Sequence, residues 1–279
     1  MSKTLALLAA SLGRSVWLPR AQERRAELIQ ELVARRGRDA WGYEFDVQTR
    51  WGFYPAGSPN AIVTSFVCEV VGPALPELDR ERVVEWLTGP MWHGQYFRYV
   101  PGNDTLVHNA SVLAARALHR LSPGHPYVAA AVFTTVEALP PQGLWTYGEG
   151  PNLRWVDNFH TAYVLDALLD LAVEGGSVVG TLERAAQAYV KQCFGGDGRP
   201  HYYAGRPGAV DVHNVATALS MLTRLHRLGW APSDLLAKCT SHALSLQRDD
   251  GAFVARRGAV PFVRWNQAHM HLALSASGK

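Results

Sequence analysis

Cysteine is scarce. Only Cys68, Cys193 and Cys239 occur in 279 residues, scattered and odd in number, with no CxxC pair and no cysteine–histidine pair at finger spacing. That argues against a disulfide framework and a structural zinc, and for a reducing compartment. Long apolar runs are missing too. None reaches the roughly 20 residues that a helix needs to cross a bilayer. The opening stretch MSKTLALLAASLG has a lysine and a short apolar run, but not the longer core and cleavage site of a signal peptide. The expectation is a cytoplasmic protein without a membrane span. Charge of one sign is absent as a block. The net charge is +3, with no long basic run, so no nucleic-acid partner is expected. A loose arginine cluster (Arg20, Arg24, Arg25, Arg35, Arg36, Arg38) falls on an amphipathic segment and reads as a solvated face. A glycine-rich phosphate loop, a GxSxG elbow and a dinucleotide fingerprint are all missing.

What the chain does have is apolar residues and a repeat. At 48% hydrophobic and 18% charged it can bury a sizeable core and is not a disordered chain. Five asparagines, Asn60, Asn109, Asn158, Asn214 and Asn266, each open an apolar helical run. Their successive spacings are 49, 49, 56 and 52 residues. A near-constant period of this length is the mark of a repeat architecture. Asn is also a preferred N-cap, so each is expected to start a helix.

A second set of helices, amphipathic, is expected near 20–36, 77–88, 125–138, 180–194 and 232–247. Each is followed by an aromatic, glycine-punctuated loop or short hairpin, and then by an Asn-led helix. The Asn-led helices are apolar on most faces and should be buried; the others should lie outside. Buried and outer helices alternating about every 50 residues predict an all-α chain, an α/α toroid with short β-hairpins and aromatic loops at one mouth. A single domain, 1–279, is expected. The run 3–12 would be a further apolar helix that closes the ring. An open superhelix of helical hairpins is the competing architecture.

In a toroid the inner helix starts converge on one end, with the aromatic loops around them. The residues flanking the asparagines are unequal: His108, Asp157, His213 and Trp265 just before, His160 and His269 just after, with Asp211 and Gln267 nearby. Such a ring of polar groups and aromatics is what a polar ligand pocket requires. Capping and bracing between helices is the plain alternative. Arg50, Arg98, Arg154 and Arg264 precede inner helices, where anions settle and an arginine fork binds a carboxylate. Loop aromatics, among them Trp51 and Trp155, interleave with Asp46, Gln48 and Glu149, as a sugar-binding lining would. Sugars stack their C–H faces on rings and bond their hydroxyls to polar side chains.

For chemistry, histidine titrates near neutrality unperturbed. His160 and His213 are the expected acid/base groups, with Tyr203 as an alternative proton donor and Asp157 and His108 as further catalytic candidates. Trp51, Arg50, Asp46, Arg98, Trp155, Asp211, Arg264, Trp265, Gln267 and His269 are the expected substrate contacts. No metal or cofactor is expected, although His108, His160, His213 and Asp157 leave a histidine-based metal site open. Paired carboxylates for glycoside hydrolysis would come from Asp46, Asp157, Asp211 or Glu149. The expected partner is a small-molecule or oligosaccharide substrate, acidic in character.

Two resemblances bear on this. LSLQRDDGAF (244–253) is similar to the QxxxGxW repeat of α/α-toroid terpene cyclases, with Phe253 in the tryptophan place; their acidic DxDD motif is absent. Over nearly its full length the chain more closely resembles a bacterial α/α-toroid family associated with polysaccharide and O-antigen biosynthesis genes. The likeness lies in AWGYEFDVQTRWGFYPAGSPNAIVTSF, YFRYVPGNDTLVHNAS, LWTYGEGPNLRWVDNFHTAYVLDAL, YYAGRPGAVDVHNVATAL and VPFVRWNQAHM. It implies a six-hairpin, glycosidase-like toroid, similar to glucuronyl C5-epimerases and uronate lyases. The implied function is a sugar or uronate epimerase or lyase of polysaccharide or glycosylated-metabolite biosynthesis. A glycoside hydrolase, a non-catalytic glycan-binding protein and a terpene-cyclase-like enzyme are the rivals.

Overall fold

In a computed structural model the described residues are 1–49, 52–172, 178–256 and 258–276. The chain forms two compact units, Met1–Glu137 and Ala138–Lys279. The first holds α1 (Ser2–Arg14), α2 (Ala21–Ala34), β1 (Val47–Gln48), β2 (Phe53–Tyr54), α3 (Ala61–Val71), α4 (Glu77–Thr88), α5 (His108–Leu121) and α6 (Pro126–Glu137). The second holds α7 (Asn158–Leu171), α8 (Val179–Gln192), α9 (Val212–Arg227), α10 (Ser233–Ser245) and α11 (Trp265–Ala276). Among the described residues the one sheet is the β1–β2 hairpin, with Val47 opposite Tyr54 and Gln48 opposite Phe53. No helix of the described residues is long and apolar enough to cross a membrane.

Two kinds of helix are present, as the composition of their faces predicts. The Asn-led helices are buried nearly all round: in α5 every residue from His108 to Leu118 is buried. The amphipathic ones bury a narrow stripe, Ala21 and Leu32 in α2 and Val83, Trp86 and Leu87 in α4. In the first unit α1, α3 and α5 pack in succession, with α2 on α1 and both α4 and α6 on α5. In the second, α9 packs on α7, α10 and α11, and α8 packs on α7. Small residues such as Ala114, Ala167 and Ala216, all fully buried, let these helices approach closely.

The asparagines correct the reading of them as shared caps. Asn60 does cap α3, its Oδ1 accepting the Val63 N–H at 2.9 Å. The caps of α7 and α9 are instead Asp157 and Asp211, and α5 has no side-chain cap bond. Asn158 braces the second unit: it accepts from the Tyr189 hydroxyl at 2.5 Å and donates to the Cys193 carbonyl at 3.0 Å. Asn214 donates to the His201 carbonyl at 3.1 Å. At Asn158 and Asn214 the repeat marks where a loop is tied to a helix start by the amide nitrogen of the side chain.

Those ties position the aromatic loops. In the first unit the Trp41 carbonyl accepts from Asn60 N–H and Thr64 Oγ1, while Trp41 Nε1 donates to the Leu32 carbonyl. A Cβ on Gly42 would stand 2.0 Å from the Ser58 carbonyl oxygen, so only glycine lets the two loop strands close there. In the second unit Asn158 N–H donates to the Tyr202 carbonyl, and Ala204 N–H to that of Val156. The loop after α8 is thereby fastened beside the start of α7.

Candidate active site

The second unit gathers most of the expected acid/base residues. Asp157 is 2% exposed and accepts three hydrogen bonds. Its Oδ1 takes the His160 N–H at 2.8 Å. Its Oδ2 takes His160 Nδ1 at 2.6 Å and Trp155 Nε1 at 2.9 Å. The sequence makes this geometry local: an N-cap carboxylate reaches the N3 residue, and here N3 is a histidine. With Nδ1–H donating to the carboxylate, Nε2 is the nitrogen left to accept a proton or, once protonated, to give one. The His160 side chain retains 22% exposure.

The rings around this pair are packed. Tyr147 stacks on Trp155 at 4.6 Å, nearly parallel, and lies 4.5 Å from the His160 ring. Phe159 lies 4.0 Å from the His160 ring and 4.8 Å from that of His213. Behind it, Tyr163 joins two more histidines. Its hydroxyl stands 2.6 Å from His213 Nε2 and 3.1 Å from His269 Nε2, and the two imidazoles are 4.4 Å apart. His269 and Tyr163 are buried, while His213 is partly exposed. Tyr163 escaped the sequence reading because it looks like core. The signal available was its spacing: three residues after His160, it shares that helix face.

Tyr203, expected as a proton donor, is 46% exposed and pairs its backbone with Asp157 and Arg206. Burial first, then the Asp157 and Asp211 carboxylates, push the Tyr202 phenol up to about 12. Asp211 caps α9 through the Asn214 N–H at 2.8 Å. The Gln267 amide clamps both backbone groups of Phe253, each at 2.8 Å. Arg264 is exposed, with its guanidinium 5.8 Å from the Phe262 ring, and Trp265 is partly exposed beside the same ring. The glutamine of the QxxxGxF stretch, Gln247, donates to the Gly251 carbonyl, so that motif closes a turn.

The first unit holds the other candidates. His108 opens α5 and is 1% exposed. Arg98 binds Asp104 at 2.7 Å, as well as the carbonyls of Pro90 and Trp92. Asp46 is exposed, and its Oδ1 accepts the Ala56 N–H at 2.8 Å, closing the hairpin. Tyr43, Tyr54 and Tyr99 pack on one another, with the Tyr43 and Tyr99 hydroxyls 3.2 Å apart. Arg50 and Trp51 lie outside the described residues. Among the described residues no three His, Cys, Asp or Glu side chains group as a metal site would require.

No family model matches the chain, and no curated protein does. Solved structures do. A possible member of the GH105 family from Salmonella enterica serovar Paratyphi A is 16% identical, with a TM-score of 0.69 over 98% of this chain and 82% of that one. Cellobiose 2-epimerase from Bacillus thermoamylovorans is 10% identical, with a TM-score of 0.66 over 98% and 86%. A type II terpene cyclase from Scytonema is 15% identical, with a TM-score of 0.63 over 99% and 86%. Likeness at this identity is likeness of fold: the chain has the all-α, α/α-toroid architecture of these glycosidase-like and cyclase structures.

Proposed function

We propose that the protein is a carbohydrate-active enzyme, a sugar or uronate epimerase or lyase. The observation that carries this reading is the pair of histidine groups around Phe159: His160 oriented by a buried carboxylate, and His213 bonded to a phenol. A sugar epimerase and a possible GH105 member on the same fold support the substrate class. In the proposed reaction His160 Nε2 takes the proton from the carbon beside the substrate carboxylate. The electron pair enters the carboxylate as an enediolate. Return of a proton by His213 to the opposite face gives the epimer; departure of a group from the next carbon gives the unsaturated product of a lyase. Acid/base assistance of this kind contributes about 10²–10⁴-fold. Trp155 and Trp265 are assigned to the sugar ring and Arg264 to the carboxylate. Arg98, already held by Asp104 and two carbonyls, and Gln267, held by Phe253, are assigned to bracing.

A glycoside hydrolase is the second reading, favoured by the proximity of the Asp157 and Asp211 carboxylates to one phenol, Tyr202. Against it, both carboxylates serve as helix caps, and Asp157 already accepts three bonds. The two readings separate in heavy water. Methyl glucuronide, methyl galacturonide and their oligosaccharides are incubated with the protein and followed by NMR. Solvent deuterium beside the carboxylate or an unsaturated product supports the proposal. Glycosidic cleavage without deuterium supports the hydrolase. Binding without change marks a non-catalytic glycan-binding protein. Unaltered turnover in both His160→Ala and His213→Ala sinks the acid/base assignment.

A further inference from the structure

The Tyr163 hydroxyl carries one hydrogen but faces two imidazole nitrogens, His213 Nε2 at 2.6 Å and His269 Nε2 at 3.1 Å. It can donate to only one of them. For both contacts to be hydrogen bonds, the other nitrogen must itself carry a proton and donate it to the phenol oxygen. The two histidines therefore cannot choose their tautomers independently. If His213 accepts from the phenol, His269 donates to it; if His269 accepts, His213 donates.

We propose that His213, Tyr163 and His269 form a proton relay: His269, buried, holds a proton that Tyr163 passes to His213. The inference deepens the reading of His213 as an acid/base group and rests on it. The step balances as follows. At the start His269 is an imidazolium donating from Nε2 to the phenol oxygen, and the phenol donates to His213 Nε2, so that His213 is neutral with its proton on Nδ1. As His213 gives the Nδ1 proton to the substrate carbanion, the phenol proton moves to His213 Nε2 and the His269 Nε2 proton moves to the phenol oxygen. His213 ends neutral as the other tautomer, Tyr163 ends as a phenol, and His269 ends neutral. One proton and one positive charge have left the trio, and both hydrogen bonds have reversed direction. No bare imidazolate or phenolate forms.

The trio runs from the interior to an accessible end. Tyr163 is 8% exposed and His269 4%, while His213 keeps an accessible part. The other titratable groups near the trio or on its helices are Asp157 before α7 with His160, Asp166 and Asp170 on it, Asp211 at the start of α9 with Arg224, His226 and Arg227 at its far end, His271 on α11 and Tyr202 in the preceding loop. In this scheme His213 and Tyr163 move the proton, and His269 is a positioning and reservoir residue.

The test needs no substrate. Imidazole ¹⁵N–¹H spectra are recorded across the histidine titration range, with His213 and His269 assigned from His213→Gln and His269→Gln. Groups sharing a proton titrate in macroscopic steps that belong to the set. The expected result is two inflections in each of the two rings in the native protein, and a single, independent inflection for each in Tyr163→Phe. His269→Gln gives a second test: it keeps a polar partner for the phenol but cannot hold the proton, so His213 should then titrate in one step. Single inflections in the native protein, unchanged in Tyr163→Phe, overturn the relay, as does persistence of two inflections for His213 in His269→Gln. With a substrate in hand, Tyr163→Phe should lower kcat on the order of 10²-fold and move the pH profile, leaving KM little changed. Coupled titration without any sugar turnover would retain the relay and discard the sugar chemistry. Turnover with uncoupled histidines would do the reverse.

Discussion

Asp157 and His160 are joined twice, one carboxylate oxygen holding the backbone N–H of the histidine and the other its ring Nδ1. Asp157→Asn separates the two roles. The amide keeps an oxygen for the cap, at which Asn and Asp are equivalent, but it cannot accept from both Nδ1–H and the Trp155 indole. The expected outcome is a stability loss of about 1–3 kcal/mol from the unmatched donors. Activity should fall by about 10²–10⁴-fold, because His160 is left in the wrong tautomer. Urea unfolding and single-turnover rates on the same variant check both halves; an equal loss of activity and fold would refute the division.

Asn60 and Asn158 are one residue type at one place in the repeat with two jobs. Serine caps a helix as well as asparagine, so Asn60→Ser should change stability by about 0.5 kcal/mol or less. Asn158→Ser strands the buried Tyr189 hydroxyl and leaves the Cys193 carbonyl with His201 N–H alone, and should cost about 1–3 kcal/mol. Thermal melts of the two variants side by side decide it: equal losses would mean that both asparagines are plain caps.

Lys3 sets a pH dependence of known sign. It is 7% exposed, with its ammonium 4.4 Å above the Phe66 ring, and burial lowers its pKa from 10.5 to about 7. The unfolded chain therefore binds more protons than the folded one between pH about 7 and 10.5, so this residue makes stability rise with pH through that window. The penalty for burying the charge is full below pH about 7. Lys3→Met should raise the urea midpoint most at or below neutral pH, and the gain over the native protein should shrink toward pH 10. Taking the difference between the two proteins cancels the opposite trend from the thiols. A pH-independent gain would mean that Lys3 keeps its charge in the folded state.

The three thiols should be silent in the folded protein. Cys68, Cys193 and Cys239 are free and buried. Burial pushes the Cys68 and Cys239 thiols up to about 12, and Cys193 further up, aided by Asp157. Thiolate is the reactive form. An aromatic disulfide reagent should release no colour at neutral pH from the native protein and three equivalents after denaturation. Rapid labelling of any one would show an opened packing layer.

Most of the helices were legible because their signals are local. The amphipathic segments expected at 77–88 and 125–138 appear as Glu77–Thr88 and Pro126–Glu137, within a residue of the periodicity. The buried class announced itself by Ala110, Ala162 and Ala216, whose small side chains serve close packing. The caps were misread by one to three positions. Asp157 and Asn158 are both good caps by type, and only the tertiary partners Tyr189 and Cys193 decide which one turns inward. Likewise Gln267 and Arg98 look like ligands from composition, but Gln267 is held by the Phe253 backbone and Arg98 by Asp104 and two carbonyls, which no spacing reveals. Tyr163 was hidden for the opposite reason. An aromatic in an apolar helix looks like packing, and its hydroxyl finds its partners in His213 and His269, 50 and 106 residues away.

The Oδ1 bond from Asp157 to the His160 amide carries a last consequence. The first turn of α7 and the aim of the imidazole are one event, so the helix end cannot fray while the dyad stays assembled. That amide proton is a built-in clock. Its exchange with solvent measures how often the Asp157–His160 arrangement comes apart, and a ligand that seats on His160 should slow it.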